Sequence, residues 1–141
     1  MSRSILIVED APSMRESLAA LFEAGGTRVI RAATLDEAKQ ALATEPYDLI
    51  LTGIRLGTTR NGGLQVMAAA SLLSPDAVII ALTALPDPDG RLAAMRLGAA
   101  YVVEQLVDLS AVAALASKHG VPSALFPRAA TCDAEGVALT P

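Results

Sequence analysis

Ser4-Ile-Leu-Ile-Val8 is a short apolar run that ends on two acids, Glu9 and Asp10. It is too short for a buried helix and rich in β-branched residues, so it predicts a central strand. From Pro12 to Ala24 the pattern changes, with Met14, Leu18, Leu21 and Phe22 at helical spacing and Gly25-Gly26 as a stop signal. The same switch of period then repeats. Arg28–Ala32 predicts a strand, and Thr34-Leu-Asp-Glu37 has the capping-box pattern that opens a helix from Leu35 to about Thr44. Asp48–Thr52 predicts the third strand, followed by a Gly-rich loop and a helix from about Leu64 to Leu73 that Ser74-Pro75 breaks. Ala77–Leu82 is the fourth strand, and Asp87, as an N-cap before Pro88, starts a helix that runs to Leu97 and stops at Gly98. Ala100–Glu104 is the fifth strand, and Asp108 caps a helix from Leu109 to Lys118 that closes at Gly120 and Pro122.

Strict alternation of strand and helix calls for a parallel sheet covered by helices on both faces, because right-handed crossovers leave few other topologies. The expectation is a doubly wound α/β domain over residues 1–120. Residues 121–141 contain three prolines, at 122, 127 and 141, and no clear period. They predict a C-terminal extension, docked or disordered, with Leu125-Phe126 as the pair able to dock.

Composition changes this picture in three ways. Of the 141 residues 52% are hydrophobic and only 18% charged, below the roughly 25% of ordinary soluble domains, which predicts an apolar surface that meets a partner. The net charge of -4 and the scattered basic residues offer no footprint for nucleic acid. Cys132 is the only cysteine, so no internal disulfide forms, and the start Met-Ser-Arg-Ser lacks the apolar core of a signal peptide. The longest apolar stretch, Ala77 to Leu85, is interrupted by Thr83 and falls far short of the roughly 20 residues that cross a bilayer. The expectation is a cytoplasmic protein with no membrane span.

In doubly wound sheets ligands bind beyond the carboxyl ends of the strands. The residues there are Glu9 and Asp10, Gly53, Thr83 and Gln105. Adjacent carboxylates at a strand end suit Mg²⁺, which makes Glu9 and Asp10 candidate metal ligands; the alternative is that Asp10 only caps the first helix while Glu9 is solvated. Thr83 at a strand end suits a bond to local backbone as well as a switching role. His119, the single histidine, sits near a helix end where its interaction with the helix dipole is the ordinary explanation, and it is assigned no chemistry.

Several of these segments carry a family resemblance. Ile5-Leu-Ile-Val-Glu-Asp-Ala-Pro-Ser-Met-Arg15 is similar to the opening of the bacterial response-regulator receiver domain, an acidic pair with an arginine five residues after the second acid. Tyr47-Asp-Leu-Ile-Leu-Thr-Gly-Ile-Arg-Leu56 resembles that family's third strand, Val78–Ala84 its Thr-Ala strand end, and Gly98-Ala99 the approach to its fifth strand. The resemblance covers nearly residues 4–118. It implies a flavodoxin-like (βα)5 fold with strand order 2-1-3-4-5 and a place in two-component, phosphorelay signal transduction.

The resemblance also implies that Gly53 occupies the phosphoacceptor position, Thr83 the switch hydroxyl position and Gln105 the position of the phosphate-pairing lysine. Phosphoryl transfer needs a carboxylate nucleophile, which glycine cannot supply, and glutamine carries no charge to replace an ammonium. With the acceptor carboxylate gone, Glu9, Asp10 and the Arg55 carbonyl imply weak Mg²⁺ binding at best and no other cofactor. The family's aromatic position falls on Val102, with Tyr101 one residue off. Gly57 and Leu106 stand where prolines are common, and the loop Gly57-Thr-Thr-Arg-Asn-Gly-Gly63 is about two residues longer than usual, so the rim of the site is remodelled.

The function expected from the resemblance is that of an atypical receiver, not an enzyme, which signals without phosphorylation by binding a protein partner or a second copy. The surface is that of the fourth helix, fifth strand and fifth helix, and a homodimer is the favoured form. Leu106–Ala116, apolar nearly all round, supports such a surface, with burial under the C-terminal extension as the alternative. A histidine kinase or another signalling protein is the candidate hetero-partner. If the chain is the whole protein, it acts through partners. Two alternatives stay open: phosphorylation at a non-standard residue such as Thr52, Thr58 or Asp48, and a small-ligand sensor that uses the vacated acidic pocket.

Overall fold

The computed structural model describes residues 3–57, 59, 61–83, 87–104 and 108–127. Five strands and five helices alternate as β1 (Ser4–Val8), α1 (Pro12–Glu23), β2 (Arg28–Ala32), α2 (Leu35–Thr44), β3 (Leu49–Gly53), α3 (Gly62–Leu73), β4 (Val78–Thr83), α4 (Pro88–Arg96), β5 (Ala99–Glu104) and α5 (Leu109–Lys118). All strand pairs are parallel and the order is β2-β1-β3-β4-β5, as the alternation and the resemblance predict.

The period of two along each strand divides the core into two layers. Leu6, Val8, Ile50, Ile79 and Ala81 face α2, α3 and α4, where they meet Leu42, Val66, Met67, Ala70 and Ala94. Ile5, Ile7, Leu49, Leu51, Ile80 and Leu82 face α1 and α5, where they meet Leu18, Phe22, Val112 and Ala116. Leu51 is fully buried, so truncation to alanine costs about 2–5 kcal/mol.

The predicted caps form. Thr34 Oγ1 accepts the Glu37 amide at 3.1 Å, while the Glu37 carboxylate reaches back to the Ala33 amide at 2.6 Å. Asp87 accepts from the Gly90 amide at 2.9 Å and Asp108 from the Ser110 amide at 3.0 Å. Gly26, Gly98 and Gly120 leave their helices at φ of +90°, +103° and +79°, a region that favours glycine.

Boundaries differ where side chains other than the periodic ones decide. β3 runs Leu49–Gly53, and Asp48 just before it accepts the Ser4 amide at 2.9 Å and Arg3 at 3.3 Å on its carboxylate. α3 starts at Gly62, two residues before the first apolar position. The reason is close approach: a Cβ on Gly62 would lie 3.0 Å from Leu56 Cβ, and one on Gly63 would overlap the Gly53 carbonyl. Within the extension, residues 121–127 pack onto the fold; Val121 and Phe126 join the α1–α5 layer while Leu125 is half exposed. Cys132 lies outside the described residues.

Candidate functional site at the carboxyl end of the sheet

β1 and β3 are neighbours with Val8 beside Thr52, so the residues that follow them, Glu9 and Gly53, come together at the carboxyl end. A Cβ on Gly53 would stand 3.5 Å from Glu9 Oε1, 3.1 Å from the Arg55 carbonyl oxygen and 3.7 Å from Leu56 Cδ2. Gly53 does not have a left-handed φ, so nothing in its backbone demands glycine; the crowding is around the missing side chain.

Glu9 is buried, 8% exposed, and its Oε2 accepts the amide of Ala11, the residue that caps α1 without a polar side chain of its own. Asp10 is exposed. No side chain caps α1, so the alternative in which Asp10 caps the helix and Glu9 is solvated does not hold: Asp10 is exposed and makes no cap bond, and Glu9 is the buried acid. Burial pushes the Glu9 carboxyl above its usual value; the Ala11 amide opposes this and the adjacent Asp10 carboxyl reinforces it. Arg15 does not neutralise the pair. Its guanidinium donates to the main-chain carbonyls of Glu9 at 2.9 Å and Asp10 at 3.4 Å, fixing the turn that presents the acids, and its ion pair is with Glu16. Among the described residues no cation pairs with either acid.

The longer loop after β3 closes as a small hairpin. Leu56 and Thr59 exchange both backbone hydrogen bonds, at 2.9 and 3.1 Å, and Gly57 supplies the φ of +59° that two-residue turns require. This holds buried Leu56 against the place of the missing side chain. No signal short of the Leu56-Gly57 step could have found that plug, since an apolar residue beside acids carries no periodic pattern.

Thr83 ends β4, 8% exposed and in register with Glu104. Gln105, Leu106 and Thr58 lie outside the described residues. Thr52 is fully buried with its hydroxyl donating to the Gly53 carbonyl at 3.0 Å, and Asp48 sits at the opposite end of β3, so neither is brought to the site. Tyr101 belongs to the α1–α5 layer, where its hydroxyl meets His119 Nε2 at 2.9 Å, whereas Val102 faces the α4 side.

The fit to a divalent cation is poor. Glu9 and Asp10 supply carboxylates and Arg55 a carbonyl, yet one Glu9 oxygen is already held by an amide, and no group of three His, Cys, Asp or Glu that could hold a metal occurs among the described residues.

Comparisons with known proteins agree with this fold. The chain is 33% identical over 110 residues to the response regulator protein PilR of Pseudomonas aeruginosa, an alignment that takes in 77% of this chain and 24% of PilR. The chain thus spans about a quarter of the length of that relative. In fold it is similar to a CheY-like response regulator receiver domain protein from Methanospirillum hungatei, with a TM-score of 0.78 at 23% identity over 84% of this chain and 93% of the other. It is also similar to a response regulator protein from Burkholderia pseudomallei whose crystal structure holds a phosphorylated aspartic acid, a calcium ion and citrate, with a TM-score of 0.73 at 23% identity over 99% and 78% of the two chains. The sequence model of the response regulator receiver domain matches residues 5–116, and the chain belongs to that family.

Proposed function

We propose that this receiver domain acts in signal transduction through binding alone, without an acyl phosphate at position 53. The observation that carries the reading is the geometry around Gly53, where an aspartate carboxylate is absent and the Arg55 carbonyl, Glu9 Oε1 and Leu56 Cδ2 close in on its place. A phosphoryl group has no carboxylate to attack it there, and two uncompensated acids repel an incoming phosphodonor. Mg²⁺ binds weakly, through Glu9 and Asp10, and the domain performs no enzymatic chemistry in its cytoplasmic setting.

Binding falls to the α4–β5–α5 face. α4 buries only Ala94 and leaves Leu92 and Met95, one turn apart, about half exposed at 51% and 52%. Apolar side chains one turn apart favour a protein partner over solvent, and a second copy of the chain is the partner proposed, with a histidine kinase or another signalling protein as the hetero-partner. Of the other acceptors among the described residues, Thr52 is buried and hydrogen bonded and Asp48 lies at the wrong end of its strand.

The test is sedimentation of the full chain with and without acetyl phosphate and Mg²⁺. The expected result is a dimer whose association is unchanged by the phosphodonor and is lost in Leu92→Lys/Met95→Lys. A dimer that forms only with acetyl phosphate, or one that survives the double substitution, contradicts the reading.

A further inference from the structure

α4 runs from the carboxyl end of β4 back to the amino end of β5, and its exposed residues change in character along that path. Asp89 is exposed in the first turn, Leu92 and Met95 are half exposed in the middle, and Arg96 is exposed in the last turn. α5 repeats the order of charges: Asp108 caps its start, Lys118 stands in its last turn, and both are exposed. Arg91 and Glu104 join α4 to β5 at 3.5 Å and offset each other's charge. The face is therefore acidic toward the carboxyl end of the sheet and basic toward the amino end, with apolar side chains between.

These end charges are not spent within the domain. At the opposite edge of the sheet Arg28 pairs with Glu45 at 2.6 Å, and Arg31 pairs with Glu16 and Glu23, both at 3.0 Å. Among the described residues Asp89, Arg96, Asp108 and Lys118 take part in no ion pair. Their placing on α4 is also self-complementary. The midpoint between Asp89 and Arg96 falls within about one residue, ~1.5 Å along the helix axis, of the midpoint between Leu92 and Met95. A two-fold axis reverses direction along the surface it passes through. One axis through that midpoint sets the apolar pair of one copy on the apolar pair of another, and the same axis carries Asp89 of each copy onto Arg96 of the other. With the two α4 helices parallel instead, acid would meet acid and base would meet base.

We infer that a second copy of the chain docks on this face with its α4 antiparallel, and that Asp89 and Arg96 select that orientation by pairing across the two-fold axis. Asp108 and Lys118 extend the same polarity along α5. The inference rests on the reading of the α4–β5–α5 face as the binding surface, and adds to it the residues that choose the partner and its direction. Exposed ion pairs contribute little affinity, so the apolar centre supplies the association while the charged ends supply register and self-selection. Nothing in it depends on the chemistry at Gly53.

Charge reversal on the full chain tests it, with dimer Kd measured by sedimentation and the composition of mixtures by native mass spectrometry. Asp89→Arg and Arg96→Asp each set like charges together in their own dimers, and each should raise Kd about tenfold. An equimolar mixture of the two variants restores opposite charges at both contacts, and should form the 1:1 heterodimer in preference to either homodimer. The helix dipole by itself favours an acid in the first turn of α4 and a base in the last, but a loss from that source persists in the mixture, so recovery on mixing reads the pairing and not the stability of the helix. Variants that dimerise as tightly as the unsubstituted chain, or a mixture no tighter than its components, overturn the antiparallel arrangement, and the face itself then stands if Leu92→Lys/Met95→Lys still abolishes the dimer. An unsubstituted chain that stays monomeric, or a dimer that survives Leu92→Lys/Met95→Lys, overturns the arrangement and the face together.

Discussion

The two ends of the sheet are built on opposite terms. At the amino end polar side chains tie one element to another: Asp48 holds the Ser4 amide and Arg3, Ser74 Oγ bridges the Tyr47 amide and carbonyl, and Thr27 ties down Pro122. At the carboxyl end two acids stand together without a cation among the described residues, next to a glycine on which a Cβ would be crowded by the Arg55 carbonyl, Glu9 and Leu56. The first end is arranged for stability. On the proposed reading, the second keeps the acidic frame of a receiver site without an acceptor carboxylate at position 53.

Substitutions sharpen that contrast. The largest effect is expected where backbone meets backbone: Gly63→Val places a side chain on the Gly53 carbonyl, and urea titration should show a loss of roughly 4 kcal/mol or failure to fold. Asp48→Ala, at the amino end, strands the Ser4 amide and should cost about 2 kcal/mol in the same titration. Gly53→Asp adds a third carboxylate beside Glu9 and Asp10, and the expected loss is about 1–2 kcal/mol at pH 7 without divalent cations, recovered when millimolar Mg²⁺ screens the three charges. If Mg²⁺ does not restore stability, the acids are not arranged around a common point.

The smallest effect is a gain. The folded chain holds a proton on Glu9 more tightly than the unfolded chain, whose carboxyl titrates near the ordinary 4.5. Its contribution to stability is therefore fully present below about pH 4.5 and is lost as pH rises through the higher folded value. Glu9→Gln keeps an oxygen for the Ala11 amide and removes the buried charge, so it should raise Tm at pH 7 by roughly 2–5 °C and flatten the melting profile above pH 4.5. An unchanged profile contradicts the burial of that charge.

How much of this was legible in the sequence follows from where the information lies. The ten elements follow from local period and caps, because Thr34, Asp87 and Asp108 each satisfy amides within a few residues of themselves. The meeting of Glu9 with Gly53 also followed, since it depends on strand order alone. The Leu56–Thr59 hairpin and the early start of α3 did not, while docking was one of two expectations for the C-terminal extension, and of its Leu125-Phe126 pair Phe126 packs onto the core and Leu125 stays half exposed. Each involves a glycine whose role is not local: Gly57 supplies the positive φ of the hairpin, Gly62 admits the Leu56 side chain, Gly63 the Gly53 carbonyl and Gly25 the backbone of Ser123. A glycine reads in sequence as a stop signal, and what approaches it is set by tertiary packing. Burial of α5 under the C-terminal extension, the alternative read for its apolar stretch, is met in part: Val121 and Phe126 join the layer α5 shares with α1.

The most direct test of the central claim is the intact mass of the full chain after incubation with acetyl phosphate and Mg²⁺. The geometry at Gly53 predicts no phosphoryl adduct at any incubation time that labels an aspartate-bearing receiver treated in parallel. A stoichiometric adduct on this chain would contradict the claim that the domain signals without phosphorylation.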